Sequence, residues 1–162
     1  MNVRHDMVTV FVVRPGLGGA SHEFLQLRRV ANDYMGGTYQ TIRGRVEGGE
    51  TAVAAALREM HEETGLRPTE FYALSTCEVF YIYHTDTVWH AAAFCAIVDP
   101  ATEPTLNDEH DGYHWIPAEE TDGAFMWGSE WPLIAEIKRA ILAGGLAKPF
   151  LRINVESAFT RP

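Results

Sequence analysis

The stretch between residues 44 and 66, GRVEGGETAVAAALREMHEETGL, constrains this chain more than any other part of the sequence. It starts as a loop with three glycines, which permit tight turns and let a backbone approach a ligand closely. It continues with the spacing of a helix, which is predicted to begin near Glu50 or Thr51 and to end at Gly65. One face of this helix is apolar and is expected to pack against a sheet; its members are Val53, Leu57 and Met60.

A second face of the same helix carries three acids, Glu59, Glu62 and Glu63, because positions three and four apart are neighbours on a helix. Like charges at this spacing repel by about 0.2–0.5 kcal/mol per pair, and acids near a helix C-terminus also oppose its dipole. Arg58 offsets only part of this repulsion. Acidic runs are usually solvated helix faces, but acids that follow a glycine loop at fixed spacing indicate bound Mg²⁺ or Mn²⁺, which prefer oxygen ligands.

The stretch resembles the Nudix box, whose signature is G-x5-E-x7-R-E-U-x-E-E-x-G-U, where U is a bulky aliphatic residue. Every fixed position is filled in this sequence, by Gly44, Glu50, Arg58, Glu59, Met60, Glu62, Glu63, Gly65 and Leu66. Met60 replaces the usual Ile, Leu or Val, and Arg43 stands where many members carry a further glycine. A motif with so many specified positions is far more specific than a short glycine pattern.

The resemblance implies a hydrolase that cleaves a phosphoanhydride bond with Mg²⁺ or Mn²⁺ as cofactor. The implied metal ligands are the backbone carbonyl of Gly44 and the carboxylates of Glu59, Glu62, Glu63 and Glu109. Glu59 is the implied general base, with Glu109 as the alternative, and Arg58 would orient the carboxylates through ion pairs. Asp108 and Asp111 lie in the same loop as Glu109 and are equally near candidates.

Four further residues are candidate substrate contacts: Arg28, Arg29, Tyr39 and Arg43. Arg28 and Arg29 end a predicted strand, where related enzymes place an arginine on substrate phosphate, and a guanidinium suits bidentate phosphate contacts. The alternative is that these arginines are only exposed cations at the end of a strand. Tyr39 could stack on a base or a pterin ring, although aromatic residues in strands are mostly core. The same holds for Phe80, Tyr81, Tyr83 and Trp89, while His90 and His110 are the histidines expected nearest the site.

Length and composition predict a single globular domain over residues 1–162, with a core at about 5–145. The formal charge of −9 argues against long nucleic acid and anionic membranes as partners, because both require a basic surface. No apolar run is long enough to span a bilayer and the start lacks a signal-peptide pattern, so a cytoplasmic protein is expected. Cys77 and Cys95 are predicted to be buried thiols, not a disulfide.

The order of the predicted elements is that of an α/β protein. Strands are predicted at residues 7–13, 23–28, 39–43, 70–75, 76–83, 88–98 and 113–116, and a second helix at 131–143. Strands on both sides of a helix, followed by a C-terminal helix, fit a layered sandwich. The resemblance implies a Nudix-type α/β/α sandwich with a mixed β-sheet, and the tail 146–162 has no predicted place.

Three short segments, LQLRR, TYQTIRGRVEGGET and EHDGYHWI, resemble the branch of the family that cleaves nucleoside triphosphates, including dihydroneopterin triphosphate pyrophosphatases. The expected substrate is therefore a small nucleotide or pterin triphosphate, with a monophosphate and pyrophosphate as products. A Nudix hydrolase of ADP-ribose or dinucleoside polyphosphates is the alternative within the family. A non-catalytic nucleotide-binding regulator is the alternative of another class, although such domains generally lose box carboxylates. The sequence leaves the oligomeric state open, with a homodimer as one option.

Overall fold

A computed structural model of the chain describes residues 1–158. Its strands are β1 (Asn2–Arg14), β2 (Glu23–Arg29), β3 (Tyr39–Gln40), β4 (Ile42–Arg45), β5 (Glu70–Ala73), β6 (Glu78–Ile82), β7 (Thr87–Ile97), β8 (His110–Pro117) and β9 (Arg152–Ile153). Its helices are α1 (Ala52–Thr64), α2 (Thr121–Ala124), α3 (Trp131–Glu136, continued as a π-helix over Ile137–Leu142), α4 (Lys148–Leu151) and α5 (Val155–Ala158).

The strands form one mixed sheet with the order β3-β2-β1-β7-β5-β9. Three short partners complete it, since β4 pairs with β1, β6 with β7 and β8 with β2. The long central strands β1 and β7 run parallel, and the other pairs are antiparallel. The mixed sheet that the resemblance implies is therefore confirmed.

The sheet has a helical layer on each face because side chains alternate along β1. Val8, Val10 and Val12 lie in the core on the α1 side, together with Leu57 and Met60 of the helix. The opposite face packs against α3 through a second buried cluster: Phe11, Val13, Phe24, Tyr72, Phe125, Leu133, Ile134, Ile137 and Ile141. The arrangement is the expected α/β/α sandwich.

Helix α1 begins and ends as the sequence predicts. The Oγ1 atom of Thr51 accepts a hydrogen bond from the Ala54 amide at 3.2 Å and caps the N-terminus. Gly65 follows the last turn in a left-handed conformation, with φ of 67°, which a side chain rarely adopts. The cap and the glycine fix where the helix lies, and thereby which of its residues face β4.

The C-terminal segment completes the sheet, although the sequence assigned it no place. Strand β9 pairs antiparallel with the edge of β5, matching Ile153 to Phe71 and Arg152 to Tyr72. Ile153 and Val155 pack against the core on the α1 side. Covering an otherwise open strand edge hides its unpaired backbone groups. Residues 159–162 of the tail lie outside the described residues.

The two cysteines differ in burial, and the prediction that both are buried was wrong for Cys77. Cys95 is buried on β7, but Cys77 is exposed in the turn before β6 begins. Neither forms a disulfide. Across residues 1–158, the structure contains no helix that is both long and apolar enough to cross a membrane.

Candidate functional site

The site begins where β4 passes beneath α1. Gly44 pairs with Val8 of β1, and the carboxyl group of Glu59 occupies the space that a Cβ atom at position 44 would fill. The backbone of Gly44 does not have a positive φ. Glycine is required here because the helix carboxylate approaches the strand backbone so closely.

Arg58 holds the acidic face of α1 together. Its guanidinium donates to both oxygens of Glu50, at 2.9 and 3.0 Å, and to Glu59 and Glu62 at 2.8 and 3.1 Å. It also donates to the backbone carbonyl of Arg45 at 2.9 Å, which ties the helix to the end of β4. Hydrogen bonds from Arg58 lower the pKa of the Glu50 carboxyl, and those carboxylates raise the pKa of Arg58. The ion pairs expected of Arg58 are present.

Glu63 is the most buried acid of α1, with 6% of the residue exposed. Burial raises the pKa of its carboxyl to about 9, and the negative charges of Glu59 and Glu109 act in the same direction. Burial also raises the pKa of Glu59, although Arg58 opposes that shift. Two acids that resist ionisation side by side mark a place where a cation is favoured.

The pKa of Glu63 predicts how stability depends on pH without divalent metal. The unfolded carboxyl ionises near its ordinary value of 4.5, whereas the folded one keeps its proton up to about pH 9. The folded state therefore binds more protons across this window, and the free energy of unfolding should fall as the pH rises through it. Urea unfolding in chelator at pH 5 to 9 measures this slope. In a Glu63→Gln variant the free energy of unfolding should depend less steeply on pH. An equal slope in the variant and the wild type would contradict the raised pKa of Glu63.

Two residues from neighbouring strands face Glu63. His110 opens β8 with its Nε2 atom 3.8 Å from Glu63 Oε2, and its Nδ1 atom lies 3.1 Å from Asn107 Oδ1. Burial and the charge of Arg29 lower the pKa of this histidine. Arg29 pairs with His110 across β2 and β8 and forms an ion pair with Asp33. Its Nε atom is buried without a hydrogen-bond partner, so it can still donate to a ligand.

Glu109 lies beside this group, immediately before His110. Its side chain is exposed, and its negative charge contributes to the raised pKa of Glu63. Asp108 is exposed as well, but the charges that raise the pKa of Glu63 include that of Glu109, and Asp111 pairs with Arg28 at 2.6 Å. Glu109 therefore stays the candidate metal ligand from this loop.

The sheet separates the two neighbouring arginines. Arg29 shares the α1 side with Leu27, whereas Arg28 faces the opposite side. There Arg28 pairs with Tyr39 across β2 and β3, and Tyr39 stacks on His114 with ring centroids 4.1 Å apart. Tyr39 and Arg28 thus lie on a different face from the acids, and their roles as substrate contacts remain predictions.

Arg43 also faces away from α1, into a buried polar cluster. Its guanidinium contacts Glu78 of β6 at 2.6 Å and Glu130, just before α3, at 3.0 Å. Sequence reasoning missed both partners. The only sequence signal was an acid at the start of an otherwise apolar strand, since a buried carboxylate needs a partner.

The residues of the α1 side fit a hard divalent cation. Oxygen ligands are supplied by Glu59, Glu62, Glu63 and Glu109. The pKa of Glu63 is raised, and a bound cation would stabilise its ionised carboxylate in place of the proton. Among residues 1–158, no three acid, histidine or cysteine side chains converge tightly enough to hold a metal as they stand. Arg58 donates hydrogen bonds to Glu59 and Glu62, so metal binding would require these carboxylates to exchange partners.

Two curated relatives of the chain have the names of hydrolases that act on phosphoanhydride bonds. An RNA pyrophosphohydrolase of Baumannia cicadellinicola is 32% identical over 55% of this chain and 58% of its own length. An 8-oxo-dGTP diphosphatase of Escherichia coli is 26% identical over 74% of this chain and 88% of its own length. An octanoyltransferase of Myxococcus xanthus is 32% identical over 67% of this chain but only 30% of its own length. The chain thus spans less than two thirds of two of these relatives.

Solved structures share the fold. An Ap4A hydrolase of Caenorhabditis elegans, crystallised as a binary complex, superimposes with a TM-score of 0.65 at 22% identity, over 85% of this chain and 98% of that one. A family model described as NUDIX domain matches residues 3–137, which include the glycine loop, α1 and the strands β2 and β8 whose residues face Glu63. The chain therefore belongs to the NUDIX domain family.

Proposed function

We propose that the chain is a divalent-metal-dependent pyrophosphohydrolase, and that its substrate is a nucleoside or deoxynucleoside triphosphate or a pterin triphosphate. The observation that carries this proposal is the group on the α1 side, in which the buried Glu63 lies beside Glu59 and faces Arg29 and His110. The acids Glu59 and Glu63 have raised pKa values, which favours bound metal ions, and Arg29 beside them has an unpaired N–H donor. Together these groups suit a phosphate that metal ions bridge to the acids. The hydrolase names of two curated relatives support the same chemistry.

The residues of the site would bind the metal ions and accept the proton of the attacking water. Gly44, Glu59, Glu62, Glu63 and Glu109 would hold Mg²⁺ or Mn²⁺, which when bound neutralises phosphate charge and lowers the pKa of a water molecule. In the proposed reaction the oxygen of a water molecule would attack phosphorus and the anhydride P–O bond would break, which would release a monophosphate and pyrophosphate. A carboxylate takes the proton of the water, and Glu59 is the proposed base.

The cations of the site have separate tasks in this scheme. Arg58 orients the carboxylates through its hydrogen bonds to Glu50, Glu59 and Glu62. Arg29 is directed at substrate phosphate because its Nε atom is buried and unpaired.

A substrate panel tests the proposal. The purified chain with Mg²⁺ is offered nucleoside and deoxynucleoside triphosphates, dihydroneopterin triphosphate, ADP-ribose, diadenosine tetraphosphate and 5′-triphosphorylated RNA. Pyrophosphate release from a triphosphate supports the proposal, and monophosphate release from ADP-ribose or the dinucleotide favours the alternative. Binding without turnover of any compound would indicate a nucleotide-binding regulator instead. Long RNA is expected to be the poorest substrate because the chain carries a formal charge of −9. A cytoplasmic location and a homodimer remain predictions.

Gly44→Ala is expected to reduce turnover by about 10–100-fold, because the added methyl group overlaps the carboxyl of Glu59 and displaces it. The fold should survive, since alanine can adopt the backbone conformation of Gly44. Initial rates and circular dichroism together measure both effects. Gly48→Ala is the matched control, because a Cβ atom at position 48 meets no neighbour within 4 Å. Equal rates for the Gly44→Ala variant and the wild type would contradict the close approach of Glu59.

A further inference from the structure

The buried polar cluster around Arg43 has no part in the chemistry proposed above. The Nη2 atom of Arg43 lies 2.6 Å from Glu78 Oε1 and 3.0 Å from Glu130 Oε1, and the Nε atom of Arg43 lies 3.2 Å from Glu78 Oε2. Both glutamates are almost completely buried, at 0% and 1% exposed. Two hydroxyl groups complete the cluster, since Thr9 and Ser129 donate to Glu78 at 2.6 and 2.8 Å.

The cluster extends across four neighbouring strands, perpendicular to the strand direction. Arg43 lies opposite Thr9 of β1, Thr9 lies opposite Ala93 of β7, and Glu78 of β6 lies opposite Ala91. The guanidinium therefore reaches from β4 past β1 and β7 to β6. The small side chains of Ala91 and Ala93 leave room for it, and both alanines are buried. Glu130 extends the same tie to the start of α3.

The strand that this cluster holds is β4, which the sheet pairs on one side. Among the described strands, the four-residue β4 pairs with β1 alone. Within residues 1–158 its other edge has no strand partner, so strand pairing restrains it from one side only, and the hydrogen bond from Arg58 to the Arg45 carbonyl holds only its end. Arg43 directly precedes Gly44, against whose backbone the Glu59 carboxyl packs. A sideways shift of β4 would therefore change the spacing between the Gly44 backbone and Glu59.

We infer that Arg43, Glu78 and Glu130 are positioning residues, which fix β4 across the sheet and thereby hold the Gly44 carbonyl in register with Glu59 for metal binding. The metal part of this inference rests on the proposed function. Arg43 acts here through its neighbour in the strand and not through contact with substrate. The alternative, in which Arg43 binds the substrate itself, makes a different experimental prediction.

The test compares Mn²⁺ affinity and hydrogen exchange in the full chain, without substrate. Arg43→Lys keeps the charge, but a single ammonium nitrogen cannot reproduce the forked contact in which Nε and Nη2 bind both oxygens of Glu78 while Nη2 also reaches Glu130. Mn²⁺ affinity, followed by electron paramagnetic resonance, should fall about 10-fold, as for the loss of other groups that orient metal ligands. Amides of residues 41–46 should exchange faster. Glu130→Gln keeps the pair with Glu78 and provides a milder variant if Arg43→Lys does not fold.

Arg45→Lys is the matched control, because it makes the same exchange of guanidinium for ammonium on the other side of Gly44, where the side chain is 54% exposed and an ammonium group can keep the ion pair with Asp6 and the contact with the Trp89 ring. It should keep wild-type exchange in residues 41–46 and wild-type Mn²⁺ affinity. Unchanged exchange in both Arg43→Lys and Glu130→Gln would overturn the inference. So would unchanged Mn²⁺ affinity combined with a raised KM, which would assign Arg43 to substrate. If the wild type hydrolyses no nucleotide, the proposed function fails, and the exchange measurement still decides whether the cluster positions β4.

Discussion

Glu63→Gln is expected to reduce hydrolysis of the best substrate at least about 100-fold, while the fold remains intact. The side chain is nearly isosteric, so packing on the α1 side should not change. The amide cannot carry the negative charge that a divalent cation requires of Glu63, and the cation is then held by fewer carboxylates. Initial rates at saturating Mg²⁺, with circular dichroism as the check on folding, measure the effect.

The stability of this variant separates loss of function from loss of structure. The pKa of Glu63 is raised to about 9 by burial and by the charges of Glu59 and Glu109. A neutral amide at this position removes the cost of ionising a buried acid, so the variant should unfold at an equal or higher urea concentration at pH 8 without metal. Glu47→Gln provides the control, because Glu47 is an exposed acid of the same glycine loop and should keep full activity. Wild-type turnover in Glu63→Gln would remove this residue from the metal site.

Much of this site could be predicted from the sequence because its central part is local. Gly44, Arg58 and the three acids of α1 lie within one loop and one helix, where spacing along the chain determines spacing in space. The cap at Thr51 and the left-handed Gly65 follow from the same local rules. A layered α/β sandwich could likewise be predicted, since each element has its own apolar pattern, and the resemblance supplied its α/β/α form.

The remainder depends on contacts between distant parts of the chain. Arg28 and Arg29 look equivalent in the sequence, yet alternation along β2 sends them to opposite faces of the sheet. The ion pairs of Arg43 join residues 35 and 87 positions apart, a distance that no local pattern encodes. The pairing of β9 with β5 is also non-local, and a two-residue strand carries almost no periodic signal. Cys77 was misassigned because its strand-like surroundings extend one residue beyond the strand itself.

The burial of the Arg43 cluster also explains an unusual feature of the sequence of β7. Three consecutive alanines, Ala91, Ala92 and Ala93, weaken a strand that otherwise favours large side chains. Ala93 pairs with Thr9 and Ala91 pairs with Glu78, so both lie on the strand that the ion pair of Arg43 and Glu78 crosses, where larger side chains would compete for the same space. The cluster therefore replaces apolar packing in this part of the sheet with buried charges, and the stability of the region then depends on the balance of those charges.

Arg43→Met is expected to lower the free energy of unfolding by about 3–5 kcal/mol, because it leaves two carboxylates buried without a cation. This corresponds to a fall in Tm of roughly 6–20 °C for a chain of this size. In the wild type, burial alone would raise the pKa of Glu78, but the charge and hydrogen bonds of Arg43 lower it overall. The pKa of Glu130 is raised by burial and only partly offset by Arg43. Urea unfolding followed by circular dichroism measures the loss.

The dependence of this loss on pH identifies its cause. Without Arg43, the folded-state pKa values of both glutamates rise, so the folded state keeps protons that the unfolded state has already released. Stability is then retained in acid and lost as the pH rises, and the deficit relative to the wild type should be larger at pH 8 than at pH 5. The triple variant Arg43→Met, Glu78→Gln, Glu130→Gln removes all three charges and should recover most of the stability. A deficit that is the same at both pH values, or no recovery in the triple variant, would attribute the loss to packing of the arginine side chain instead of charge.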